Sequence, residues 1–273
     1  MSISDVRDPA TALIIPSYPG AQLRRISNVG RDRLAPAIHT AMQVASALVR
    51  TLGVNSSTVQ LPPSDGIAWR QEIQHASAAI KLDDMLVDLW NRGIPVVPLT
   101  QLPVPSFQGM VCIVENRPVI LVCYKHDEPG RIAFLISHEV GHIVAGDCTA
   151  DHPVVDEEDE VADNTAMELA AERFATRVLV GGDAIPQVNA DSYRDLATKA
   201  IQIEKTSGSD AGTVIFGWAR RTLDYTAATM AAKALYRASG ARRLMSEQFA
   251  SRVDMSLATE SDRNLLRCVM EGS

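Results

Sequence analysis

The spacing of apolar residues predicts two helices in the first third of the chain. Apolar residues recur at helical spacing over residues 37–52, and Gly53 marks the end of this predicted helix. The preceding residues 1–36 are rich in Pro, Gly, Ser and Arg and show little period, so we expect an extended or partly ordered lead-in. A second, longer helix is predicted over residues 69–93, with an apolar stripe along one face.

Short runs rich in β-branched residues follow the second helix. IPVVPL at residues 94–99 predicts a strand, and the two apolar runs of residues 110–124, separated by polar residues and a proline, predict a β-hairpin. Helical spacing returns from about Arg131, and again over residues 164–180, where Gly181 ends the helix. The pattern therefore predicts an α+β fold in which a small antiparallel sheet packs on helices.

The remainder of the chain is Ala-rich and mainly helical, with predicted breaks at SGSDAG and at Gly240. We divide the chain into an N-terminal lead-in and helix at residues 1–67, an α+β domain at 68–185 and a helical region at 186–273. The helical region carries several arginines among apolar residues: Arg220, Arg221, Arg237, Arg242 and Arg243. An amphipathic bundle with an arginine-rich outer face explains this spacing better than a partner-recognition or DNA-binding unit does.

The composition is that of a globular protein with an acidic balance. The 273 residues are 46% hydrophobic and 22% charged, which suffices for a sizeable core. A net charge of -7 argues against broad nucleic-acid binding, so we expect no direct DNA binding. The N-terminus is acidic where a signal peptide is basic, and no window reaches the length of a membrane span. We therefore expect a cytoplasmic protein whose four cysteines, which form no CxxC pair, are reduced.

The stretch SHEVGH places two histidines four residues apart, with a glutamate directly after the first. On a helix, His138 and His142 project from the same face and can bind one metal ion at about 2 Å. Glu139 is turned aside from that face, where its carboxylate can accept the proton of a metal-activated water as a general base. The competing interpretation is an amphipathic helix whose histidines are ordinary polar-face residues.

A third ligand is needed, because a catalytic zinc typically has three protein ligands and one water. Glu168 and Glu172 lie one turn apart on the next predicted helix, which can fold back against the first. We predict Glu168 as the ligand and Glu172 as a support for a ligating histidine; the alternative is that both are solvated charges. The segment between the helices offers four rival ligands: Asp147, Asp151, His152 and Asp156. An ideal helix places Asp147 about 140° round from His142, which weakens its claim.

Two segments around these residues resemble the signatures of the ImmA/IrrE-type zinc peptidases. RIAFLISHEVGH matches R-x-x-F-x-x-x-H-E-x-G-H from Arg131 onward, and ELAAERFATRVLV is similar to the second signature, E-x-x-A-N-x-F-A, from Glu168 onward. The order of helix, strand and hairpin upstream is also similar, and the resemblance covers roughly residues 68–182. The chain departs from the pattern at Glu172, where asparagine is usual, at Gly181, where proline is usual, and in its longer acidic connection.

The resemblance implies a zincin-like catalytic domain at residues 68–185, with zinc on His138, His142 and Glu168 and with Glu139 as the base. Manganese or another divalent ion also suits this ligand set. Members of the family are typically intracellular proteases that cleave helix-turn-helix repressors of the XRE type, in transcription regulation and stress responses. A zinc-dependent regulatory endopeptidase acting on such a repressor is therefore expected. The alternative is a non-proteolytic, metal-containing regulatory protein that binds a repressor or a sensor ligand.

Further candidates lie on either side of the metal motif. Tyr124 and His126, at the end of the hairpin, are candidates for oxyanion stabilisation or substrate contact, with an edge aromatic and a loop histidine as the alternative. Arg131 is expected to anchor a carboxylate or a carbonyl near the ligands. Cys148 is expected to be buried rather than to act as a thiolate ligand. The acidic run at 156–160 fits a solvated loop better than a steering site for a basic substrate.

Overall fold

Ten helices and four strands make up the part of the chain that the computed structural model describes, namely residues 28–52, 58–74, 79–123, 125–149, 153–156, 166–235 and 240–270. The helices are α1 (Asn28–Leu52), α2 (Gly66–Ile73), α3 (Leu82–Asn91), α4 (Pro129–Ala145), α5 (Ala166–Val180), α6 (Tyr193–Ser207), α7 (Ala211–Thr222), α8 (Tyr225–Leu235), α9 (Ala241–Arg252) and α10 (Glu260–Met270). The strands are β1 (Val96–Pro98), β2 (Gly109–Val114), β3 (Arg117–Val122) and β4 (Val154–Asp156). No helix among them combines the length and the apolar character needed to cross a membrane.

The strands form one small mixed sheet in the order β1-β3-β2-β4. The predicted hairpin is confirmed as β2 and β3, with Val114 opposite Arg117 at its closed end. Its two-residue turn holds Glu115 and Asn116 at φ values of 50° and 64°. Two successive left-handed residues give a turn whose twist matches that of the strands, and asparagine tolerates this conformation well.

The prediction of a purely antiparallel sheet is wrong. The strand predicted in IPVVPL is present as β1, but it runs parallel to β3. The connection from β1 leads into β2, which lies two positions away, and β3 then returns through the space between them. At the other edge, β4 pairs antiparallel with β2 in a segment that we predicted to be a loop. A three-residue strand beside acidic residues shows too little alternation to be recognised.

Two of the predicted helices also differ from the structure. Helix α1 begins at Asn28, inside the stretch predicted to be irregular, and contains Pro36. The single helix predicted over residues 69–93 is two helices, α2 and α3. The second start lies at Lys81, whose backbone N–H donates to Asp84 Oδ2 over 2.9 Å in an N-terminal cap. Because α2 and α3 pack on the same apolar cluster, their stripes looked continuous in the sequence.

The sheet is buried on both faces, and each face is covered by different helices. Met110 and Cys112 lie in the apolar cluster formed with α1 and α10, whereas Val111 between them lies in the cluster formed with α2, α4 and α5. Helices α6, α7 and α8 enclose a third cluster around Leu196 and Val214. The helical C-terminal region is thus confirmed, and α4 lies directly on one face of the sheet.

Helices α4 and α5 cross closely at Gly141. A Cβ atom added there would lie 2.9 Å from Ala171 Cα, so a side chain at this position would push the two helices apart. The missing side chain lets α5 fold back against the middle of α4. This crossing faces the histidines of α4 towards the first turn of α5, which carries Glu168.

Candidate metal centre

Three polar side chains converge where α4 and α5 cross. His138 Nε2 lies 3.0 Å from His142 Nε2 and 3.0 Å from Glu168 Oε2. His142 Nε2 lies 3.4 Å from Glu168 Oε1. The side chain of His142 is fully buried, and that of His138 keeps 13% of its surface exposed. Together these residues form a group that could hold a metal ion.

The separations within the cluster suit a small tetrahedral cation. Ligand atoms about 2.0–2.1 Å from a tetrahedral ion lie about 3.3 Å from one another. The two imidazole nitrogens are 3.0 Å apart, His138 Nε2 is 3.0 Å from Glu168 Oε2, and His142 Nε2 is 3.4 Å from the other carboxylate oxygen, Oε1. With one ligand atom taken from each residue, all three atoms lie within 4.8 Å of one another. Two imidazole nitrogens and one carboxylate oxygen leave a fourth position for water, as in catalytic zinc sites, and the same donors also accept manganese, iron or cobalt. The cluster therefore fits a divalent metal ion in both geometry and donor chemistry.

Asp147 fixes the orientation of His142. Its Oδ2 lies 3.0 Å from His142 Nδ1, so this nitrogen donates the hydrogen bond and Nε2 presents its lone pair to the cluster. An ideal helix would place Asp147 elsewhere, but α4 ends at Ala145. Gly146 follows with φ 74° and turns the chain, so that the Asp147 N–H donates to the His142 carbonyl over 3.0 Å. Asp147 thus supports a candidate ligand instead of being the rival ligand considered in the sequence analysis.

The two histidines hold Glu168 in its anionic form. Burial by itself raises the pKa of this carboxyl group, but the adjacent rings of His138 and His142, which donate to it when they are protonated, lower the pKa to about 2. The carboxylate is therefore charged throughout the neutral pH range. That is the state in which a carboxylate binds a cation.

Glu139 is fully buried beside the cluster but is not one of its three members. One residue along α4 turns its side chain about 100° away from His138, towards the start of β2. A Cβ atom added to Gly109 would overlap Glu139 Oε1 and would lie 3.1 Å from Leu135 Cδ1. The glycine therefore makes room for the carboxylate. The role of Gly109 could not be predicted from the sequence, because this role depends on how β2 packs against α4.

Comparisons of the chain with protein-family models, curated proteins and solved structures gave no match. The structure itself shows a mostly helical α/β protein with a small mixed sheet. It also contains a group of three residues that could hold a metal ion.

Glu172 does not bind a ligating histidine as we predicted, and both Glu172 and Arg131 contact residues of α7. Glu172 forms an ion pair with Arg220 on α7. The Arg131 guanidinium stacks on the ring of Phe216, 4.8 Å from its centroid. Seven residues of helix place Arg131 roughly 10 Å from His138 along the axis. Both residues join α7 to α4 and α5, the two helices that carry the candidate metal ligands.

The other candidates do not belong to the three-residue group or lie outside the described residues. His126 Nδ1 is 3.9 Å from Glu128 Oε2, at the start of α4. The cap at Glu128 precedes His138 by ten residues, roughly 15 Å along the helix, so the structure does not bring His126 to the cluster. Asp156 ends β4. Tyr124, Asp151 and His152, like most of the acidic run at 156–160, lie outside the described residues.

Cys148 is a buried thiol, as predicted. Its Sγ donates to the Val111 carbonyl over 3.3 Å. Burial, together with the negative charges of Glu139 and Asp147, raises the pKa of this thiol to about 12. Cys148 is therefore protonated at neutral pH and offers no thiolate to the cluster.

Proposed function

We propose that the protein is a zinc-dependent regulatory endopeptidase whose active centre is the cluster of His138, His142 and Glu168. The placement of Glu139 carries this proposal. It is buried next to the histidines and remains outside the ligand set. A structural zinc site is usually closed by four protein ligands, whereas a hydrolytic site combines three ligands with a separate base. The cluster and Glu139 supply this second combination.

Each residue has a separate task in the proposed reaction. When bound, a divalent ion supplies Lewis acidity, which polarises a peptide carbonyl and makes water more acidic. Glu139 accepts the proton of the attacking water and transfers it to the departing amine. Asp147 keeps the lone pair of His142 Nε2 directed into the cluster. Gly109 leaves the space that the Glu139 carboxylate needs.

As substrate we propose a helix-turn-helix repressor of the XRE type. Support comes from the resemblance of RIAFLISHEVGH and ELAAERFATRVLV to the two signatures of the ImmA/IrrE-type zinc peptidases. The alternative, a non-proteolytic regulatory protein that binds a repressor or a sensor ligand, would use the same metal group without hydrolysis. The two functions differ in what they require of Glu139.

The proposal is tested by replacing Glu139 with glutamine. Zinc-loaded wild type, Glu139→Gln and the control Glu247→Gln, an exposed residue of α9, are incubated with a random peptide library and with purified XRE-type repressors. New termini are counted by mass spectrometry. We expect Glu139→Gln to lose at least about 100-fold in cleavage rate, the contribution typical of a general base, and to keep its zinc. Cleavage by this variant at the wild-type rate would contradict the proposal. Zinc binding by the wild type without any cleavage would favour the non-proteolytic alternative.

A further inference from the structure

A surface cavity of about 570 Å³ opens between α5 and α7. Its walls come from these two helices and from the segment that follows α5. The wall residues that matter most are Leu169, Glu172, Arg173, Gly217, Arg220 and Arg221. None of them has a task in the proposed reaction.

The α5 wall of the cavity begins at Leu169, one residue after the candidate ligand Glu168. Leu169 follows the candidate ligand Glu168 in the sequence and keeps 52% of its surface exposed. Glu172 lies one helical turn after Glu168, and residues four apart on a helix have Cβ atoms about 5–6 Å apart. A substrate held at the cluster therefore has the cavity within reach of its neighbouring side chains.

The α7 wall of the cavity also contacts α4, the helix that carries His138 and His142. The guanidinium of Arg220 lies 6.0 Å from the centroid of the Phe134 ring, and Phe134 precedes His138 by one helical turn. Arg220 also pairs with Glu172. The cavity is thus bounded by α5 and α7, and Arg220 connects it to α4 one helical turn before His138.

The charges on the cavity wall do not balance. Arg173 pairs with Asp183, and Arg220 pairs with Glu172. Arg221 is the third guanidinium of the wall; it is exposed and donates a hydrogen bond to the carbonyl of Val188. Within the described part of the chain, no carboxylate lies at ion-pair distance from Arg221. Three guanidinium groups therefore face two carboxylates, and the excess positive charge is on Arg221.

The rest of the lining is apolar. Leu169, Ile185 and Pro186 contribute hydrocarbon surface to the same cavity. A ligand with methylene groups before its negative charge would contact this surface and reach a guanidinium at the same time. Among peptide side chains, glutamate has this combination.

We propose that the cavity is a substrate subsite that binds an acidic side chain, preferably glutamate, close to the scissile bond, with Arg221 as its counter-charge. This rests on the proposed peptidase function and adds a substrate preference to it. The class of substrate is a peptide segment with a glutamate next to the cleaved bond. The preference comes from one unbalanced guanidinium, so a single substitution should remove it.

The probes are matched peptide hydroxamates that differ only in the residue next to the metal-binding group, which is Glu, Gln or Lys. Binding to zinc-loaded protein is measured by calorimetry. We expect the Glu compound to bind about fivefold more tightly than the Gln compound, as for a partly exposed ion pair, and the Lys compound to bind most weakly. Arg221→Gln should abolish the difference between Glu and Gln. Arg252→Gln, an exposed arginine of α9, should leave it unchanged.

Equal binding of the Glu and Gln compounds by the wild type, or a preference that survives in Arg221→Gln, would overturn the subsite. Different results would contradict the peptidase function. If the hydroxamates show a glutamate preference but no peptide is cleaved, the subsite proposal stands and the peptidase proposal is wrong. If the peptide library is cleaved but acidic residues are not enriched next to the cleaved bonds, the peptidase proposal stands and the subsite proposal is wrong. If no hydroxamate binds the zinc-loaded protein, the subsite proposal is wrong, and the cleavage assay alone decides the peptidase function.

Discussion

At the scale of single residues, two positions that bind no metal decide how the cluster works. Asp147 accepts a hydrogen bond from His142 Nδ1 and so directs the Nε2 lone pair towards the other candidate ligands. Gly109 leaves the volume that the Glu139 carboxylate occupies. Neither residue contributes a ligand atom. Their substitution should therefore affect metal affinity and hydrolysis separately, which makes the two roles distinguishable.

Replacement of Asp147 by alanine should weaken zinc binding. Without its carboxylate, His142 is free to adopt the other tautomer, and loss of such a partner typically costs 10–100-fold in metal affinity. Competition with a chromophoric chelator measures the change. Asp254→Ala, on an exposed loop, is the matched control and should bind zinc like the wild type. An unchanged affinity in Asp147→Ala would show that His142 is oriented by other contacts.

Replacement of Gly109 by alanine should impair hydrolysis more than metal binding. The added methyl group occupies the place of Glu139 Oε1, so the carboxylate must move or β2 must shift, at a cost of about 1–3 kcal/mol in the free energy of unfolding. We expect at least tenfold slower cleavage with about one zinc per chain retained. Gly182→Ala adds a methyl group in open space and serves as the control. Wild-type activity in Gly109→Ala would contradict the tight placement of Glu139.

At the scale of elements, the crossing of α4 and α5 builds the cluster. The spacing of His138 and His142 was predictable because it follows from helix geometry alone, and Glu168 because its helix could fold back on the first. The turn that carries Asp147 was not predictable, since a left-handed Gly146 changes the direction of the chain. Similarly, the hairpin had a local turn signal, whereas β4 exists only through its pairing with β2.

Gly141→Val should separate these two helices. The larger side chain meets Ala171 of α5 where even a methyl carbon would lie 2.9 Å from Ala171 Cα. We expect a loss of about 1–3 kcal/mol in the free energy of unfolding and a lower zinc occupancy, because Glu168 moves away with α5. Ala145→Val, at the exposed end of α4, controls for the lower helix propensity of valine. Chemical denaturation and metal analysis check both effects. Full zinc occupancy in Gly141→Val would show that the crossing distance is not critical.

An ion pair joins α1 and α10 and should make the free energy of unfolding depend on pH in the acidic range. Asp262 pairs with Arg50, and the hydrogen bond from Arg50 is the main cause that lowers the pKa of Asp262 below its ordinary value of 3.8. Its contribution is therefore present above about pH 4 and is lost as the pH falls through the lowered pKa. We expect Asp262→Asn to lose about 1 kcal/mol at pH 6, since Arg50 is half exposed, and the difference from wild type to shrink at pH 3. Denaturant titrations at both values measure it; an equal difference at pH 6 and pH 3 would contradict the ionic origin.

At the scale of the whole molecule, the sheet is enclosed by helices from both ends of the chain. Helices α1 and α10 pack with α9 over one face, and α2, α4 and α5 over the other. The bundle of α6, α7 and α8 has its own apolar cluster and contacts α4 and α5 through Arg131 and Arg220. Sequence patterns predicted the helical character of this region. They gave no sign that α7 contacts α4 and α5, because these contacts join residues far apart in the chain.

Metal content decides whether His138, His142 and Glu168 hold one divalent metal ion, as we propose. Wild type, His142→Ala, Glu168→Ala and the control Glu247→Gln are loaded with zinc, dialysed and measured by elemental analysis, with circular dichroism to verify folding. We expect about one zinc per chain in the wild type and in Glu247→Gln, and nearly none in the other two variants. A folded wild type that binds no metal, or a Glu168→Ala variant that keeps its full zinc content, would contradict the claim.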